Sequence, residues 1–333
     1  MNNKISIIYL KGDYFGGGHE ARTKIIERFM KRKKYKLNLI PISNFAQLSE
    51  NILILNKKNN ILILDISHQK IVSKFNKKFV KESFNEIQPI IIDDVNRKSN
   101  ISKFFEKNKC KILIPYVCDE KNLSLKKENI IGIGESFFIF DDKLYDYFLL
   151  SKKESSVPKK ILLTFGQSDP QKITLKILEA IKSLKLKDNE YNFLFSIGKL
   201  FDNDYKEKLK SFTEEKNIKC IGSNIYKYFN QIDFAISASG LTKYEMVLFG
   251  IPQLLIHTDI DQKKASLAFE KKSGLKSYIK EEINDKIIKE FIIKYQENKP
   301  NEDFVKSIRN SYKKSNGLNQ INVSIKNILK RIT

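Results

Sequence analysis

Cysteine is scarce: three residues in 333, Cys110, Cys118 and Cys220, odd in number and far apart. They offer no metal-ligand spacing and read as reduced thiols of a cytoplasmic protein. Histidine is equally rare, with three in the chain. Long hydrophobic runs are missing, since no uninterrupted apolar stretch approaches the roughly 20 residues of a membrane span. The opening "MNNKISIIYLKGDYF" lacks the basic, apolar and small-residue order of a cleavable leader, which again points to the cytoplasm. Neither the GxGxxG dinucleotide fingerprint nor the lysine-terminated phosphate loop occurs. Short-period repeats and low-complexity tracts are absent too.

What the chain has in excess is positive charge: 61 Lys and Arg against 39 Asp and Glu, a net charge of +22. Such a balance attracts anions of every kind, from nucleotides to an anionic membrane surface, where peripheral association is a candidate. The excess is spread along the whole chain. No basic stripe is interleaved with aromatics on a recognisable module, so nucleic acid is not an expected partner.

Short β-rich runs alternate with amphipathic stretches from end to end. Strands are expected at 4–10, 36–42, 61–66, 88–93 and 111–116, then at 161–165, 193–198, 218–222, 234–239 and 252–257. Helical spacing marks "HEARTKIIERFMKRK", "KIVSKFNKKFVKESF" and the closing "GLNQINVSIKNILKRI". Strands apolar on both faces and separated by helices predict parallel sheets covered on both sides. The pattern pauses at the polar "LLSKKESSVPKK" (149–160) and restarts. The expectation is therefore α/β, with two Rossmann-like domains, 1–150 and 151–333, facing a cleft. The final helix is a candidate to pack back toward the N-terminal domain. Ligands of such folds sit at the carboxyl ends of the strands.

Three stretches there carry chemistry. In "KGDYFGGGHEAR", Gly16, Gly17 and Gly18 let a ligand approach the main chain at a helix start. His19 follows, able to titrate near neutral pH; Asp13 could orient it or bind a sugar hydroxyl, and Arg22 lies one turn along. The alternative is a glycine turn with an exposed capping histidine. In "LLTFGQSDPQK", the amides of Gly166, Gln167 and Ser168 could meet a phosphate, or Ser168 or Asp169 could simply cap a helix with Pro170 in its first turn. In "SASGLTKYE", Ser239, Gly240, Leu241 and Thr242 suit a diphosphate, and Glu245 suits a pair of ribose hydroxyls. Thr242 with Glu245 also fits a capping box. Asp261 and Gln262 start a later helix and are available to a sugar.

Together these stretches resemble the UDP-2,4-diacetamido-2,4,6-trideoxy-β-L-altropyranose hydrolases of pseudaminic acid biosynthesis. The family loop D-x…G-x-G-H-x-x-R is similar to Asp13, Gly16, Gly18, His19 and Arg22. "IIDDVNR" supplies Asp93, Asp94 and Arg97, and "FGQSDP" and "SASGLTKYE" resemble the phosphate and nucleotide turns. The likeness covers nearly the whole chain and extends more distantly to GT-B glycosyltransferases that act on peptidoglycan precursors. Two positions depart from the pattern: Ser239 stands where the family has glycine, and Asp261 where it has asparagine.

The resemblance implies hydrolysis of a UDP-linked diacetamido sugar with inversion, with His19 as base and neither metal nor cofactor required. A glycosyltransferase of the same fold, in which an acceptor hydroxyl replaces water, is the main alternative, and a sugar-nucleotide-binding protein without catalysis is the third. The sequence leaves the oligomeric state open.

Overall fold

The strand "ISIIYL" is apolar at alternate and intervening positions alike, so its two faces both demand cover. In the computed structural model, which describes residues 5–12, 15, 17–56, 61–84, 87–94, 101–105, 110–119, 127–150, 157–184, 186, 189–258 and 260–332, they receive it. Ile8, Leu10, Leu62, Leu64, Ile91 and Ile112 join one buried cluster. Ile5, Ile7, Ile61, Ile63, Ile90 and Leu113 join another. The chain divides into two compact units, one of residues 1–141 with 307–333 and the other of residues 142–306.

The first unit holds β1 (Ile5–Leu10), β2 (Leu37–Ile42), β3 (Ile61–Asp65), β4 (Ile90–Ile92), β5 (Lys111–Ile114) and β6 (Ile130–Ile133). All pair in parallel, in the order 2-1-3-4-5-6. Its early helices are α1 (Gly18–Arg32), α2 (Phe45–Asn56), α3 (Gln69–Val72) and α4 (Lys77–Ser83). The chain leaves β1 for β2 on one side and then crosses to β3 on the other, so the order reverses between β1 and β3. That reversal is where an open α/β sheet presents its ligand crevice.

The second unit repeats the plan with β7 (Lys159–Thr164), β8 (Tyr191–Phe195), β9 (Ile218–Cys220), β10 (Phe234–Ala238), β11 (Gln253–His257) and β12 (Ser277–Ile279). Their order is 12-11-10-7-8-9, all parallel, which puts the reversal between β7 and β10. Its helices are α5 (Leu144–Phe148), α6 (Ile173–Ser183), α7 (Asn203–Lys210), α8 (Thr242–Leu248), α9 (Ile260–Ser273) and α10 (Asp285–Ile293). Then α11 (Glu302–Lys314) spans the division at residue 306, and α12 (Asn316–Ile332) contributes Leu318, Ile321, Ile325 and Ile328 to the first unit's core.

Three features differ from the sequence reading. The single helix expected over 70–84 is two short ones, because the Asn76 side chain accepts from the Phe79 amide and starts α4 afresh. The strands β6 and β12 were not anticipated. No described helix is long and apolar enough to cross a membrane.

Candidate functional site

In the first unit the reversal point gathers three side chains. His19 and Arg22 are three apart on α1, hence on one helix face. Both reach the carboxylate that ends β3, Asp65, which is fully buried. The Asp65 Oδ1 lies 2.7 Å from His19 Nδ1. Arg22 grips the same carboxylate with two nitrogens, Nε to Oδ2 at 2.8 Å and Nη2 to Oδ1. Its remaining Nη1 donates to the Tyr116 hydroxyl, just beyond β5, and its guanidinium carbon lies 5.7 Å from the centre of that ring.

Burial alone would raise the Asp65 pKa, but the Arg22 charge and the hydrogen bonds from Arg22 and His19 outweigh it and hold the group down at about 2. Asp65 is thus an ionised acceptor, and the imidazole proton belongs on Nδ1. His19 Nε2 makes no hydrogen bond to any described residue. It therefore presents a lone pair, on a side chain 15% exposed. A neutral imidazole oriented from behind by a carboxylate is equipped to take a proton at its free nitrogen.

Asp93, one residue past β4, plays another part. It is buried and accepts from Ser67 Oγ and the amides of Asp94 and Ser102, which clamps the loops beyond β3 and β4. Burial pushes its carboxyl pKa up despite those donors. Of the glycine loop, Gly17 caps α1 through its backbone and Gly18 begins the helix, while Asp13 and Gly16 lie outside the described residues. Arg97 does as well.

In the second unit, Gly166 leaves β7 with φ +84°, a left-handed turn natural to glycine. Gln167 stacks its backbone on Gly198, where a Cβ would fall 2.5 Å from the Gln167 carbonyl carbon and 2.6 Å from the Gly166 oxygen. Ser168 is half-buried in the same turn. Between the two capping candidates the structure selects Asp169: its carboxylate accepts from the Ile173 and Thr174 amides at 2.9 Å, from Thr174 Oγ1 and from the Tyr205 hydroxyl.

Beyond β10 come Ser239, Gly240, Leu241 and Thr242, with Gly240 exposed. The capping box does not form, for α8 has no side-chain cap. Glu245, 7% exposed, instead accepts from the Tyr226 hydroxyl at 2.9 Å. Gln262 accepts from the Thr258 amide at 2.7 Å, and the Asp261 side chain lies outside the described residues. Ser239 and Gly166 thus follow the two strands, β10 and β7, that flank this sheet's reversal. Among the described residues no group of three or more His, Cys, Asp or Glu is placed to hold a metal ion.

Sequence reasoning missed Asp65 and Tyr116. The signal for Asp65 was there: a lone carboxylate closing the apolar run "ILILD".

No family model matches the chain. It is 24% identical over 291 residues to an uncharacterized protein of Methanocaldococcus jannaschii, covering 78% of this chain and 57% of that one. It is 31% identical over 103 residues to an aspartate aminotransferase of Sulfurisphaera tokodaii, covering 30% of this chain and 25% of that one. The chain thus spans little more than half the length of the first relative and a quarter of the second.

Solved structures align over nearly the whole chain. The glycotransferase of kitacinnamycin matches at a TM-score of 0.65 and 10% identity, covering 98% of both chains. MurG of Acinetobacter baumannii matches at 0.59 and 9%, covering 98% of this chain and 99% of that one. UDP-GlcNAc 2-epimerase of Neisseria meningitidis, bound to UDP-GlcNAc, matches at 0.55 and 14%, covering 98% and 100%. With its two parallel six-stranded sheets and interleaved helices, the chain has the GT-B fold.

Proposed function

We propose that the protein is a sugar-nucleotide hydrolase that releases UDP and a free diacetamido-trideoxy sugar, with His19 as its base. The observation that carries this reading is the 2.7 Å contact from Asp65 to His19 Nδ1, which leaves Nε2 as an acceptor at the sheet reversal. In the reaction, a water oxygen forms a bond to the anomeric carbon while the bond from that carbon to the diphosphate breaks. The water's proton passes to His19 Nε2, and the electron pair leaves with UDP. A diphosphate is already a competent leaving group, so general-base help at water, worth about 10²–10⁴ in rate, is where the protein contributes.

The second unit is assigned the nucleotide. Gly166, Gln167, Ser168 and the Ser239–Thr242 turn take the phosphates, and Glu245 takes the ribose hydroxyls. Gln262 and Asp261 are assigned to the sugar, as are Asp13, Gly16, Gly17, Gly18 and Arg22. The motifs of the sequence support this reading, as does the GT-B fold, which one solved neighbour uses to hold UDP-GlcNAc.

The +22 charge favours a second reading, a UDP-sugar glycosyltransferase whose acceptor sits on an anionic membrane. Mass spectrometry of products separates the two. UDP and free sugar formed from the diacetamido UDP-sugar without an acceptor support hydrolysis; turnover only with an added acceptor supports transfer.

A further inference from the structure

The helix that begins at the assigned sugar contacts is held only lightly by apolar packing. Of the three large apolar side chains on α9, Ile260 and Leu267 are more than half exposed and Phe269 alone is buried. A helix takes most of its placement from an apolar face packed against its neighbours, and α9 has little of one. Its position therefore depends on polar contacts with the end of the sheet.

His257, the last residue of β11, makes the contact nearest the far end of that helix. Its side chain is fully buried, and Nε2 lies 3.1 Å from Glu270 Oε1. Burial pushes the Glu270 carboxyl up, but the hydrogen bond from His257, with others around it, brings the group below its ordinary value. Glu270 is thus an ionised acceptor, and the imidazole proton belongs on Nε2. The other ring nitrogen, Nδ1, is buried and has no hydrogen-bond partner among the described residues. An unpaired buried nitrogen is a cost that an apolar side chain would not carry, so packing alone does not account for a histidine here. The directional bond to α9 does.

The backbone on either side of the ring is tied down as well. The His257 carbonyl accepts from the Lys280 amide, just beyond β12, at 3.0 Å. The next residue, Thr258, donates from its amide to Gln262 Oε1 at 2.7 Å, in the first turn of α9. Residue 257 is joined to the sheet through its main chain and to the helix through its ring.

We propose that His257 is a positioning residue: by holding Glu270 it fixes the rotation of α9, and with it the placement of Gln262 against the sugar of the nucleotide sugar. The role of Gln262 rests on the sugar-nucleotide reading above. The latch itself rests on the bond between His257 and Glu270 and on the slight apolar burial of α9. UDP lacks the transferred sugar, so its binding should not feel the latch.

The KM for the diacetamido UDP-sugar, the calorimetric affinity for UDP and the thermal unfolding midpoint test this on the whole protein. His257→Gln puts an amide nitrogen near the place of Nε2 and keeps the donor to Glu270. His257→Asn puts it near the place of Nδ1, out of reach. His257→Asn and Glu270→Ala should each raise KM about tenfold, the scale of one hydrogen bond to a charged group, with UDP affinity unchanged. His257→Gln should stay close to wild type. The Glu270 side chain is partly exposed, so Glu270→Ala keeps the test informative where a change at the buried histidine does not fold. A lower unfolding midpoint in Glu270→Ala with KM unchanged, a loss shared equally by UDP, or equal effects of His257→Gln and His257→Asn would overturn the latch and leave the sugar-nucleotide reading standing. Wild-type protein that neither turns over the UDP-sugar nor binds UDP would overturn that reading and this role of His257 with it.

Discussion

His19 Nδ1 and Asp65 Oδ1 lie 2.7 Å apart although 46 residues separate them in the chain. The sheet order brings them together: α1 follows β1, Asp65 ends β3, and these two strands are neighbours at the reversal of the first sheet. Arg22, on the same helix face as His19, holds the other side of that carboxylate. Asp65 therefore has two tasks, to orient an imidazole and to neutralise a buried guanidinium, and the two can be measured separately.

Asp65→Asn should lose both. Orientation of His19 fails, lowering kcat about 10²–10⁴-fold, the range of a general base. Arg22 is left as a buried charge without its partner, at a cost of about 3–5 kcal/mol in folding free energy. Steady-state kinetics and urea unfolding of the same sample check the pair.

The depressed pKa of Asp65 makes stability depend on pH. Its folded value of about 2 lies below the ordinary 3.8, so its contribution is fully present above the unfolded value. It is lost as pH falls through the window between those two values, and amounts to about 2 kcal/mol. Asp93, whose pKa is raised by burial, works in the opposite sense: its protonation on acidification favours the folded state. Urea unfolding at a series of pH values should therefore show wild type losing stability below about pH 4, while the gain from Asp93 develops on acidification above that pH and is absent in Asp93→Asn.

Gly198→Ala should disturb a turn that the residue itself does not belong to. The added carbon meets the backbone of Gly166 and Gln167, which cannot give way as a flexible side-chain tip would. Overpacking of this kind costs about 1–3 kcal/mol, and the displaced turn should also weaken UDP binding. Thermal unfolding and a UDP titration read the two effects.

Asp169→Ala removes four hydrogen bonds at the start of α6, two of them from backbone amides. Loss of a helix cap costs about 0.5–2 kcal/mol, and the buried Tyr205 hydroxyl that loses its acceptor adds about 1–3 kcal/mol. The expected result is a lower unfolding midpoint in urea with the denaturant slope unchanged.

Much of the architecture could be read from residue order because the central strands are apolar on both faces, as in "ILILD" and "ISIIYL". The strands that escaped lie at sheet edges, where that signature fades: β6 carries Gly132, and β12 has three residues, all half-buried. At the site, His19 and Arg22 were legible from their spacing. Asp65 was marked only as a carboxylate closing an apolar run; its pairing with α1 was not legible, since those partners lie 43 and 46 residues away. The Thr242–Glu245 box was legible in pattern yet is unmade, because Tyr226, 19 residues away, claims the carboxylate. Local sequence favours local partners, and here tertiary contacts won.

The most direct test is the rate of UDP release from the diacetamido UDP-sugar by wild type and by His19→Ala at saturating substrate, alongside their affinities for UDP. The variant should turn over about 10²–10⁴-fold more slowly while binding UDP as wild type does. A variant that releases UDP at the wild-type rate would contradict the assignment of His19 as the base.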